Sequence, residues 1–168
     1  MQELANRPTI EKLTLLADEI DGPKGKQPEN SKINVSRVWK RDNPLSILSV
    51  MFQILRLKPD VVHFNIGFQS YGRGKLSNFT GISLIFLCRL CNLKTIVLLH
   101  NLGETVNLEK VGSKSSFVNR TGILVATRLI LSSSRVVVMV RSYAEYLKKH
   151  YGHKGVLFIP HGLSLIHI

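Results

Sequence analysis

A doubly wound, mainly parallel α/β sheet is the fold class this sequence predicts. Three observations lead there. Short apolar runs recur along the chain: Leu13–Asp18, Ile33–Val38, Val61–Ile66, Thr95–Leu99, Arg135–Val140 and Gly155–Ile159. Segments with helical patterning separate the later runs. No repeat or low-complexity tract interrupts the alternation. Strands joined through a helix run parallel, with right-handed crossovers. In such sheets ligands bind beyond the carboxyl ends of the strands.

The chain has 168 residues, enough for one domain with its own core. Its hydrophobic fraction of 44% excludes wholesale disorder. Lys and Arg number 23 against 11 acidic residues, a formal charge of +12. That excess suits nucleic acid, an anionic membrane face or phosphorylated substrates. No arginine-rich block or RNP-type aromatic motif favours nucleic acid. The opening, MQELANRPTIEK, is polar, and the apolar runs fall short of the ~20 residues that span a bilayer. A cytoplasmic protein is expected, so the sequons at Asn34, Asn78 and Asn119 are chance matches. Cys88 and Cys91 form a lone C-x-x-C inside an apolar helix. Without a second pair they are expected to be buried and structural, and no metal site is expected.

Taken in order, Met1–Asn6 is the end of a helix, and Leu13–Asp18 a buried strand. Asp21–Lys32 is a charged surface loop, and Ile33–Val38 a second strand. Asn43 to Lys58 is a helix with Asn43 as N-cap and Pro44 at its first position. Ser46, Ser49, Gln53 and Arg56 form one narrow polar stripe, which predicts a helix mostly buried against a sheet. Pro59 ends it. The strand Val61–Ile66 follows, then a Gly-containing loop, the apolar helix Ile82–Leu93 and the strand Thr95–Leu99. A helix over Phe117–Ser132 turns Ile123, Leu124, Leu129, Ile130 and Leu131 inward and Arg120, Thr127 and Arg128 outward. Arg135–Val140 is continuously apolar, as expected of a strand covered on both faces. Ser142 and Glu145 form a capping box for a short helix that Gly152 closes. Gly155–Ile159 is the last strand, stopped by Pro160.

The stretch from Pro59 to Glu104 organises the rest: strand, loop, helix, strand, loop. Its two polar loops lie at the carboxyl ends of strands. His100 ends a strand there, and its imidazole can hydrogen-bond a hydroxyl or stabilise a departing phosphate. A strand-end His bonded to backbone is the plainer alternative. Asn65 and Gly67 close the preceding strand; Asn65 is either a ligand for a hydroxyl or a loop-capping amide. Asn101, Gly103 and Glu104 follow His100, and Glu104 has no partner carboxylate in sight. Arg141 ends the next strand, where it can meet an anion. His63 lies inside its strand and is expected to be buried. Gly72, Arg73, Gly74 and Lys75 resemble a phosphate loop, but Arg73 stands where a Walker motif needs Lys. That stretch is either a solvated turn or a hold for an anionic acceptor.

Both ends are expected to be incomplete. A Rossmann-type half begins with a strand, a Gly-rich turn and a helix; the first strand and turn are expected to precede Met1. The tail Leu163–Ile168, LSLIHI, breaks the style of what precedes it. One codon series for it resembles the transposon-end adapter of sequencing libraries. Residues 1–162 are therefore read as the domain and 163–168 as a non-native tail.

The ordered set PDVVHFN, GISLIFLCRLCNLKTIVLLHNLGE, SSRVVVMVRSYAEYLKKHYG and VLFIPHG resembles the N-terminal half of family-4-type glycosyltransferases of the GT-B fold. The likeness covers about Leu13 to Gly162. It implies a Rossmann-like domain, one half of a GT-B architecture, on the acceptor side of the cleft. It implies transfer of a sugar from a nucleotide-sugar to a hydroxyl, with retention, and neither metal nor cofactor beyond the nucleotide-sugar co-substrate. His100 matches the family's active-site His and is the catalytic candidate. Asn65, Gly67, Asn101, Gly103, Glu104 and Arg141 are the substrate-binding candidates. His161 stands where the family more often has Asn. The family's C-terminal half holds most of the donor, including an E-x7-E element, so residues 1–168 alone are expected to be inactive. Expected partners are the donor through that second domain, a sugar or lipid-linked acceptor, and peripheral contact with an anionic membrane, with no nucleic acid. The alternative is a non-catalytic basic α/β module that binds nucleotide or nucleic acid.

Overall fold

A computed structural model of the chain describes residues 2–19, 30–67, 69–105 and 117–160. His161, the tail 163–168 and most of the loop 21–32 lie outside the described residues. The elements run α1 (Gln2–Ala5), β1 (Leu13–Asp18), β2 (Ile33–Trp39), α2 (Ser46–Leu57), β3 (Val62–Ile66), α3 (Lys75–Leu90) and β4 (Thr95–Leu99). A 3-10 turn (Gly103–Thr105), α4 (Phe117–Leu131), β5 (Arg135–Val138), α5 (Arg141–Tyr151) and β6 (Val156–Phe158) follow. All strand pairs are parallel. This helix-connected, Rossmann-like architecture agrees with the doubly wound α/β class expected from the sequence. Its strands form two sheets rather than one: β1 with β2, and β3-β4-β5-β6 in sequential order.

Register decides which residues build the core. Phe64, Val97, Val136 and Val156 are cross-strand neighbours, as are Ile66, Leu99 and Val138. All seven are buried. Sequential strand order with right-handed crossovers puts α3, α4 and α5 over this one face. Leu84, Ile85 and Cys88 of α3, Ile130 of α4, and Ala144 and Leu147 of α5 complete the cluster. The other face holds His63, Asn65, Ile96, Leu98, Arg135, Val137 and Leu157, all half-buried or exposed. Two expectations fall with this. β5 is not covered equally on both sides, and His63 is exposed rather than buried.

Local chemistry explains where element boundaries differ from expectation. α2 begins at Ser46, not at Asn43. Asn43 Oδ1 accepts the Leu45 N–H at 3.0 Å, closing a turn ahead of the helix. Ser46 Oγ accepts the Lys40 N–H at 2.9 Å and sets the entry. Nor is α2 mostly buried: Leu45, Leu48, Phe52 and Leu55 are exposed. Only Val50 and Ile54 are fully buried, flanked by Ile47 and Met51. Lys58 closes the helix in the left-handed region, φ 47°, with its N–H on Ile54 O.

α3 starts seven residues before the apolar run that marks it in sequence, because a polar clasp holds its first turn. Asn78 Nδ2 donates to Gly72 O at 2.6 Å and to Gly74 O at 2.8 Å. Asp42 Oδ1 accepts the Gly74 N–H at 2.7 Å. At Gly72, φ 135°, a side chain would strike the Asp42 carboxylate. At Gly81 one would strike the ring of Tyr71, which packs against Trp39 at 5.7 Å. Cys88 is buried, but Cys91 sits past the helix end and is exposed, so only one cysteine behaves as expected.

α4 has a different phase from the one expected. Thr127 is buried and Leu124 exposed. Thr127 and Ile130, one turn apart, point inward together. The capping box does not form either. Ser142 lies inside the first turn of α5, whose N-cap is extended Val140, with no side-chain hydrogen bond. Gly152 closes α5 as expected, at φ 60°.

Truncation of Leu84, 1% exposed in the centre of the cluster, is expected to cost about 2–5 kcal/mol. Truncation of Leu48, 66% exposed, is expected to cost under about 0.5 kcal/mol. Urea midpoints of Leu84→Ala and Leu48→Ala measure the contrast; equal losses would contradict the assigned core.

Candidate functional site

β3 and β4 end side by side, and their carboxyl ends build the site. Asn65 pairs with Leu98 across the parallel ladder. Side chains alternate along a strand, so the position two beyond Leu98 returns to the same side. That position is His100. Its backbone N–H donates to Ile66 O at 2.9 Å, extending the ladder by one bond. Its Nε2 then meets Asn65 Oδ1 in a close hydrogen bond. With the amide oxygen as acceptor, Nε2 carries a hydrogen, and in the neutral ring Nδ1 then holds the lone pair. The ring is held by one nitrogen and offers the other as an acceptor.

Gly67 adjoins this pair. A Cβ there would lie 3.9 Å from His100 Cβ and 4.0 Å from Asn101 Nδ2. Ser70 Oγ accepts the Gly67 N–H at 2.7 Å and donates back to Gly67 O at 3.0 Å. The turn after β3 is thereby locked beside the histidine. The structure brings together Asn65, Gly67, His100 and Asn101, four of the seven sequence candidates. Ser70 was not among them. The Gly-x-x-Ser spacing is the signal that finds it, since a Ser hydroxyl commonly bonds backbone a few residues away.

The remaining three candidates take other places. Gly103 is a packing position, where a Cβ would approach Ile123 Cγ2 to 3.1 Å. Glu104 is fully engaged: Tyr146 donates to Oε2 at 3.0 Å and Tyr151 to Oε1 at 2.6 Å. Both phenols come from α5. Desolvation, first, and the Glu104 carboxylate, second, raise their pKa values above the ordinary tyrosine range. Glu104 thus ties the loop that carries His100 to α5. Arg141 shares the carboxyl edge but opens α5, beyond the end of β5, with its guanidinium 5.2 Å from the centre of the Phe158 ring. The Gly72–Lys75 stretch does not present a free phosphate cradle, because Asp42 occupies the Gly74 N–H. His63 is exposed on the less covered sheet face, and partial desolvation lowers its pKa.

Chemically, the group is a small cluster of neutral donors and acceptors around one oriented imidazole. It can accept from a hydroxyl at Nδ1 and donate from amide nitrogen. Among the described residues no three His, Cys, Asp or Glu side chains gather to hold a metal. No helix among them is long and apolar enough to cross a membrane. No protein-family model and no curated protein matches the sequence significantly.

The Glu104 tether has a defined pH dependence. A tyrosine whose pKa is raised in the fold adds stability that is present below its unfolded value of ~10 and lost as pH climbs above it. At pH 8 Tyr151→Phe is expected to lower stability by about 1.5–3 kcal/mol, the range for a hydrogen bond to a charged group. At pH 11 that deficit should shrink. Paired urea titrations at the two pH values test this; a deficit that stays constant would contradict the tether.

Proposed function

We propose that this chain is the N-terminal, acceptor-side domain of a retaining glycosyltransferase that takes its sugar from a nucleotide-sugar. One observation carries the reading. His100 stands at the carboxyl end of a central parallel strand, oriented by Asn65 from the neighbouring strand, where open α/β sheets bind their ligands. Residues with the family's pattern, in the family's order, support it. In this reading the acceptor hydroxyl meets His100 Nδ1, while Asn101 and the Gly67 turn flank the sugar ring. Transfer forms a bond from the acceptor oxygen to the anomeric carbon. The bond from that carbon to the nucleotide phosphate breaks, and the hydroxyl proton ends on the phosphate. Glu104 acts here as a positioning residue, since its carboxylate holds α5. The nucleotide-sugar is assigned mainly to a second domain, so residues 1–168 bind acceptor and do not turn over. Placement in the cytoplasm belongs to the same proposal. The nearest rival is a basic module that binds nucleic acid through the +12 charge.

Saturation-transfer NMR of the whole chain with methyl glycosides of glucose, galactose, mannose and N-acetylglucosamine separates the two. At least one glycoside is expected to bind. His100→Ala and Asn65→Ala should each weaken it about tenfold, the equivalent of one lost hydrogen bond, with circular dichroism unchanged. Failure of every glycoside, or binding of a fifteen-nucleotide single strand instead with steep salt dependence, would overturn the proposal.

A further inference from the structure

We propose that the outer face of α3 docks the protein on an anionic lipid surface. The buried residues of α3, including Gly81, Leu84, Ile85 and Cys88, recur at helical spacing and face the sheet. On the opposite side Leu76, Phe79, Phe86 and Leu90 are exposed at 64%, 40%, 39% and 65%. Ser83 occupies the middle of that side, so the five positions form one stripe at 3.6-residue periodicity. The outer face of a helix that meets only water carries polar residues. A run of large apolar ones marks a contact surface. Neighbouring α2 repeats the pattern with exposed Leu45, Leu48, Phe52 and Leu55.

Charge identifies the occupant. Between Asp60 and Glu104 the chain holds Arg73, Lys75, Arg89 and Lys94 and no carboxylate. All four cations are exposed, two at each end of α3. Lys75 donates to Asn119 Oδ1 at 3.0 Å and Arg89 to Ser132 O at 3.2 Å, both neutral oxygens; Asp42, on the Gly74 N–H, is a carboxylate beside the Arg73–Lys75 end. A second copy of the chain on this face would set the cations against one another. An anionic bilayer surface answers both features, because Leu and Phe enter the acyl boundary while Lys and Arg meet phosphate headgroups. The helix, about 24 Å long, would lie flat, with its apolar side chains reaching roughly 5–10 Å inward. This contact is independent of sugar transfer, and its test needs no activity assay.

Co-sedimentation of the whole chain with vesicles of 70% phosphatidylcholine and 30% phosphatidylglycerol supplies that test, beside pure phosphatidylcholine vesicles. Binding is expected to the mixed vesicles only, and to weaken as salt rises from 0.1 to 0.5 M. The exposed pair Phe79→Ser/Phe86→Ser should reduce it at least tenfold. The pair Lys75→Gln/Arg89→Gln should reduce it by about twenty-five-fold, from roughly fivefold for each cation near the surface. Light scattering of the same samples reads self-association. Absence of binding to the mixed vesicles, binding that both variants leave unchanged, or a dimer that Phe79→Ser/Phe86→Ser dissolves would each overturn the proposal.

Discussion

Parallel pairing of β3 with β4 is the constraint on which the candidate site depends. The Val62–Thr95 to Ile66–Leu99 register sends Phe64, Ile66, Val97 and Leu99 into one buried layer. A shift of one residue would turn those side chains to the opposite face, so the core protects the register. The same register delivers Asn65 and His100 to one side of the strand ends. Their hydrogen bond is therefore a by-product of packing that the whole sheet enforces. The Gly67 backbone, bonded through both its N–H and its C=O to Ser70 Oγ, adjoins the pair.

Two further contacts hold the edge in place. Glu104 accepts from Tyr146 and Tyr151, which couples the loop after β4 to α5 across the ends of the sheet. Asp42 and Asn78 clamp the loop that leads into α3. Several polar side chains at this end are thus spent on backbone and on one another, while the His100 ring is held through Nε2 beside Asn101. The helical layer has the opposite character. The outer sides of α2 and α3 carry exposed Leu and Phe where a water-facing layer carries charge. The candidate site and the proposed docking face occupy different parts of one frame.

Strand positions were legible in the sequence because parallel strands are dense apolar runs bounded by Gly, Pro and Asn. β1 and β4 match the expected bounds residue for residue, but β1, expected to be buried, has no fully buried residue and leaves Leu15 exposed. His100 was legible because it follows such a run directly, and Asn65 because it is a polar residue near the carboxyl end of one. Helix phase was not. In α2 and α4 apolar residues outnumber polar ones, so counting polar positions cannot tell a core-facing Leu from an exposed one. Leu48 and Thr127 are the two clearest cases. The role of Glu104 was hidden for another reason: its tyrosine partners lie 42 and 47 residues away. The Ser142 box failed because the chain enters α5 two residues earlier than the motif implies.

The central claim is that Asn65 fixes the His100 ring, with Nε2 protonated and Nδ1 open to a ligand hydroxyl. Long-range nitrogen–proton NMR of the histidine rings above pH 8 measures this directly. The account predicts a single Nε2–H tautomer for His100 in the native chain and a mixture in Asn65→Ala. An Nδ1–H tautomer in the native chain, or identical spectra for the two proteins, would contradict it.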